Sequence, residues 1–133
     1  MRLTSPGLVF VLLIVSGCGG GDGSFTRDYN RAVRPLRELR QTPGTQPGAF
    51  TRLAERTERT RANLAKLDAP DGAQDELDAL LGRLHDVTRD LREVARAERS
   101  RDVPRQRRAA TALVHSTEAV QRAETALQQA VEG

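Results

Sequence analysis

The stretch LDALLGRLHDVTRDLREV, residues 77 to 94, decides how this chain folds. Leu77, Leu80, Leu84, Val87, Leu91 and Val94 recur at steps of three and four, and Leu81 widens the stripe they form. That spacing keeps apolar side chains on one side of an α-helix and cannot keep them on one face of a strand. Upstream, Asp71 and Gln74 have capping-box spacing, and Asp75 and Glu76 add acid where a helix start favours it. The pattern fades near Arg99. It predicts a third helix that is the longest unbroken seam in the chain.

Downstream, Asp102-Val103-Pro104 restarts the chain, with proline in the first turn of a fourth helix. Leu113, Val120 and Leu127 recur every seven residues, with Ala109, Ser116, Ala123 and Ala130 between them as small residues that allow close approach. Upstream, Phe50, Leu53, Thr57, Thr60, Leu64 and Leu67 predict a second helix over residues 49–67, stopped by Asp68-Ala69-Pro70. Thr42 to Gly48, TPGTQPG, reads as a turn. Before it, Ser24 can cap a helix from Phe25 to Gln41, with Phe25, Tyr29, Val33, Leu36 and Leu39 along one side. Pro35 lies inside that helix and predicts a kink or break near Arg34.

No segment alternates with period two, and the connections are short, so successive helices should be antiparallel neighbours. The expected fold class is all-α, an up-down bundle of three to four antiparallel helices over residues 24–133. Leu, Val and Phe are scarce and alanine fills the gap, so the core should be thin.

At the amino end, Leu8 to Val15 is an uninterrupted apolar run behind Arg2, followed by Val15-Ser16-Gly17-Cys18. Eight helical residues span about 12 Å, far short of the ~30 Å hydrocarbon core of a bilayer. The run therefore suits a removable export signal rather than a membrane span. Cys18 is the only cysteine in the chain and cannot form an internal disulfide. These residues resemble the signal and lipobox of bacterial lipoproteins. The resemblance implies cleavage after residue 17, diacylglyceryl modification of Cys18, and residence on the outer face of the cell membrane, or in the outer membrane of a Gram-negative organism. Residues 18–23, the modified cysteine followed by GGGDG, then form a glycine-rich tether.

The net charge is +3, with one tyrosine and no tryptophan, so there is little with which to stack sugars or bases. His85 and His115 lie beside seam positions and should face solvent or an edge. His115 and Glu118 stand one turn apart, but in the reverse of the Glu-x-x-His order of di-iron bundles, and none of the core seam positions is a carboxylate. No phosphate loop, nucleophile elbow or haem motif is present. No metal, cofactor, nucleic acid or catalytic residue is expected.

Charge is the remaining signal. Asp71 to Asp78 holds four acids and no base, and Arg96 to Arg108 holds six arginines against Glu98 and Asp102. Both are read as solvated helix ends matched to the dipole of the third helix. A polyanion-binding reading of the second patch finds no interleaved aromatics and, in an exported protein, no nucleic acid to meet. On the first helix, Arg27, Arg31 and Arg34 fall opposite the apolar side, which makes them a candidate membrane-facing basic side for anionic lipid headgroups. The expectation is a lipid-anchored, non-enzymatic helical module of the cell envelope, structural or protein-binding, similar to other small helical lipoproteins. An alternative is a lipoprotein that holds a small ligand or metal between its helices, supported only by a polar seam at Thr57, Thr60, Ser116 and Thr117.

Overall fold

A computed structural model describes residues 22–41 and 48–132, with no account of the side chains of residue 22 or of residues 38–41. The export signal, the lipobox residues Val15, Ser16, Gly17 and Cys18, the first part of the tether, the side chain of Leu39 and the turn over 42–47 lie outside the described residues. Among the described residues there are four helices and no strand: α1 Asp22–Gln41, α2 Ala49–Leu64, α3 Gln74–Ser100 and α4 Val103–Glu132. At about 1.5 Å per residue they measure roughly 30, 24, 40 and 45 Å.

Each helix packs on the next in sequence, α1 on α2, α2 on α3 and α3 on α4. The main core cluster takes Phe25 and Val33 from α1, Leu64 from α2, Leu77, Leu80 and Leu84 from α3, and Val120 and Leu127 from α4. Ala73, just ahead of α3, completes it. A smaller cluster joins Val94 and Ala97 of α3 to Ala109 of α4, with Phe50 and Leu113 packed on it. The start of α2 thus meets the end of α3 and the start of α4, as an up-down bundle requires. Ala54, Ala73 and Ala97 are completely buried, so alanine does fill the tightest places.

The α3 seam is as read, with Leu77, Leu80, Leu84, Leu91 and Val94 buried and Leu81 and Val87 half-buried. Thr88 is buried deeper than Val87 beside it. Its hydroxyl donates to the Leu84 carbonyl at 3.1 Å, which satisfies it within its own helix.

Four expectations about helix ends need correction. First, Asp22, Gly23 and Ser24 already lie within α1 as described, so Ser24 does not cap it and Asp22 and Gly23 are helical. Second, of the kink or break expected at Pro35 the break does not occur, since α1 runs through that residue. Proline removes the donor for the Arg31 carbonyl, but Pro35 and Arg31 are both exposed, so water can take that acceptor. Third, α2 stops at Leu64. Its last turn tightens through the Lys66 N–H to the Asn63 carbonyl at 3.3 Å and the Leu67 N–H to the Leu64 carbonyl at 3.1 Å. Leu67 still packs on the core, from outside the helix.

Fourth, Asp71 does not cap α3. Pro70 to Ala73 form a turn closed by the Ala73 N–H to the Pro70 carbonyl at 3.0 Å, with Gly72 at φ 85°. Only glycine takes that conformation cheaply, and it moves the helix start to Gln74, beyond the reach of Asp71. The Gln74 side chain turns forward to Asp78 at 3.0 Å instead.

Candidate functional site

The bases of α1 lie where the sequence puts them. Phe25 and Val33 are buried, and Tyr29 and Leu36 are half-buried against the same core. The Phe25 and Tyr29 rings meet at 6.1 Å between centroids. Arg27, Arg31 and Arg34, on the opposite side, are all exposed and make no ion pair with a described side chain. Their spacing of four and three places them in one row along the helix.

The neighbouring helix repeats the pattern, which the sequence reading missed. Arg52, Arg56 and Arg59 have the same spacing of four and three and are all exposed, while Ala54, Thr57, Thr60 and Leu64 turn inward. Together α1 and α2 carry nine arginines against five carboxylates, whereas α3 and α4 carry nine against ten. The basic surface therefore belongs to the α1–α2 half of the bundle. The signal was present in the sequence, since the arginines interleave with the seam of α2 at the helical period.

A second basic region forms where α3 turns into α4. Two residues, Arg101 and Asp102, make the connection, and Arg101 takes φ 55°, the one positive φ of a non-glycine residue among those described. The turn is pinned by side chains. The Ala97 carbonyl accepts from the Ser100 hydroxyl at 2.7 Å and from the Gln106 amide at 3.3 Å. Asp102 caps α4 by accepting the Arg105 N–H at 3.1 Å. Across the hairpin, Glu93 accepts from Arg105 at 2.9 Å and from Arg96 at 3.1 Å. Hydrogen bonding from Arg105, then from Arg96, holds the Glu93 carboxyl below its ordinary range. Arg99, Arg101, Arg107 and Arg108 remain exposed, with no ion pair among the described residues.

Elsewhere the charges are local. On α2, Arg61 and Glu58 form a tight pair one turn apart, and hydrogen bonding from Arg61 lowers the Glu58 pKa. His85 and His115 are exposed, and His115 stands 4.0 Å from Glu118 on an open surface. Among the described residues no group of three or more metal-ligating side chains gathers. Three hydroxyls of the polar seam are spent on their own helices, with Thr57 donating to Leu53 at 2.8 Å, and Ser116 and Thr117 to Leu113 at 3.1 and 2.8 Å, while Thr60 is buried on α2. A hollow lined by Glu118, Gln121, Arg122, Thr125, Ala126 and Gln129 lies wholly on the surface of α4.

No helix among the described residues is long and apolar enough to cross a membrane. Comparisons with protein-family models, with curated proteins and with solved structures return no match.

Proposed function

We propose that this protein is a lipid-anchored, non-enzymatic module of the bacterial cell envelope, structural or protein-binding, exported and held at the membrane through Cys18. The observation that carries the reading is the Val15-Ser16-Gly17-Cys18 stretch behind its apolar run, in a chain with no other cysteine. Two or more acyl chains on that cysteine anchor a protein stably, where one holds it only marginally.

The position of α1 supports an orientation. Asp22 and Gly23 are already helical, so no more than about 14 Å of extended chain separates Cys18 from α1. That keeps Arg27, Arg31 and Arg34 near headgroups, with Arg52, Arg56 and Arg59 on the adjoining helix. Each arginine near an anionic surface contributes about 1 kcal/mol, fading over roughly 8 Å at physiological salt. The α1–α2 half lies against the membrane and leaves α3 and α4 to meet partners. The inward-spent hydroxyls of Thr57, Ser116 and Thr117 favour this module over a carrier of small ligands.

Two measurements test the reading. A fatty-acid probe fed to cells should label the wild type and not Cys18→Ser; equal labelling of both removes the anchor. Residues 22–133, made without lipid, should bind anionic vesicles better than neutral ones at low salt. Changing Arg27, Arg31 and Arg34 to Gln should clearly weaken that preference. Indifference of the unaltered domain to vesicle charge would reduce the arginine face to a solubilising surface.

A further inference from the structure

The arginines at the α3–α4 turn are not explained by the electrostatics of helix ends. Arg99, in the last turn of α3, does match the negative end of that helix. Arg105, Arg107 and Arg108 crowd the start of α4, where the capping Asp102 is the one acid and the first turn itself holds none. A helix start favours acid, so Arg107 and Arg108, which lack a described partner, add positive charge beyond what Asp102 offsets. Glu93 compensates Arg105 and Arg96 only. Four exposed guanidinium groups remain on a turn fixed by Ser100, Asp102 and Gln106. One of the four, Arg101, occupies a left-handed position that asparagine or glycine would fill with less strain.

We propose that this hairpin tip docks a flexible polyanion, a polymer whose repeating units carry phosphate or carboxylate. Guanidinium groups bind either oxyanion through paired hydrogen bonds, and arginine suits that task better than lysine. The surroundings decide against other partners. Protein interfaces gather energy in buried aromatic and apolar anchors, and the tip offers only Val103, 54% exposed. Single-stranded nucleic acid calls for aromatic stacking platforms, and the tip has none. The tip also lies at the far end of the bundle from Asp22. The roughly 40 Å length of α3 separates the two ends, about five screening lengths at physiological salt. A molecule held at its α1 end therefore presents these arginines outward, to material away from its own membrane. The proposal concerns the tip alone and does not depend on Cys18 carrying lipid.

Binding is measured on the full chain in non-ionic detergent, with polyphosphate and polygalacturonate as probes, at low and at physiological salt. Arg99, Arg101, Arg107 and Arg108 are changed to Gln together, and also in the pairs Arg99/Arg101 and Arg107/Arg108. A comparison variant removes the same charge from the other surface, with Arg27, Arg31, Arg34 and Arg56 changed to Gln. The wild type should bind at least one polymer, more weakly as salt rises. The tip variant should lose about tenfold or more in affinity, each pair part of that, and the comparison variant less than about threefold. Which polymer binds more tightly identifies the oxyanion. No binding at low salt, or equal losses in the two four-site variants, would overturn the proposal. So would anionic vesicles that the tip variant releases and the comparison variant keeps, since the tip would then be a second membrane contact.

Discussion

Replacing Leu84 with alanine tests whether the α3 seam holds the bundle together. Leu84 is 3% exposed and belongs to the cluster that draws on all four helices. The change removes three carbons, and at about 0.8 kcal/mol per methylene the transfer part alone is roughly 2.4 kcal/mol. A cavity term adds to this, reduced to the extent that half-buried Leu81 and Val87 lean inward. The total is about 3–4 kcal/mol. Domains of this size hold about 5–15 kcal/mol, and a core with few large apolar residues belongs toward the lower end. Leu84→Ala should therefore remove about half of the stability and lower Tm by roughly 12–16 °C. Urea unfolding of residues 22–133, followed by helical circular dichroism, gives the loss as a shift in midpoint at unchanged slope. Leu81→Ala, on the half-buried flank, should cost clearly less. A loss below about 0.5 kcal/mol at Leu84, the scale of surface changes, would refute the assignment of this face to the core.

Other changes probe separate features. Arg101→Gly relieves a left-handed residue at about 1–2 kcal/mol but gives the unfolded chain more freedom, so thermal unfolding should show a net gain of about 0–1 kcal/mol. A clear loss would mean that the Arg101 side chain holds the turn. Thr57→Val and Thr88→Val delete hydroxyls that serve only their own helices, and each should change stability by less than about 1 kcal/mol in denaturant titration. A cost above about 2 kcal/mol would place those hydroxyls in contacts between helices. The carboxyls of Glu93 and Glu58 titrate lower folded than unfolded, so their stabilisation is complete above the ordinary carboxylate value of 4.5 and is lost as pH falls through the folded values. The urea midpoint of the wild type should fall below pH 4.5 more steeply than that of Glu93→Gln; parallel curves would mean that the link from Glu93 to Arg105 does not form in solution.

Periodicity made the buried faces legible and left the helix ends illegible. Six positions of α3 and the heptads of α4 could be placed because a seam repeated over several turns outweighs any one residue. Helix ends depend on single residues in competition. Asp71 has the chemistry and spacing of a cap, yet Gly72 takes the chain through a turn that strands it two residues early. Pro35 is disruptive by rule, yet the helix continues through it where the carbonyl it orphans faces water. The first arginine row could be read because the side opposite an apolar stripe is defined by that stripe. The second row, on α2, and the crowding of arginine at the start of α4 gain meaning only when neighbouring helices and the two-residue turn are known.

The order of packing has a consequence for how the chain acquires its structure. Every substantial helix contact joins neighbours in sequence, so few contacts must wait for distant segments to meet. Bundles with such local topology fold in microseconds to milliseconds. The two-residue link between α3 and α4 gives that pair the smallest loop-closure entropy of the three, which makes their hairpin the natural nucleus. Substitutions along the α3–α4 seam should then slow folding, while those in α1, which packs chiefly on α2, should mainly speed unfolding.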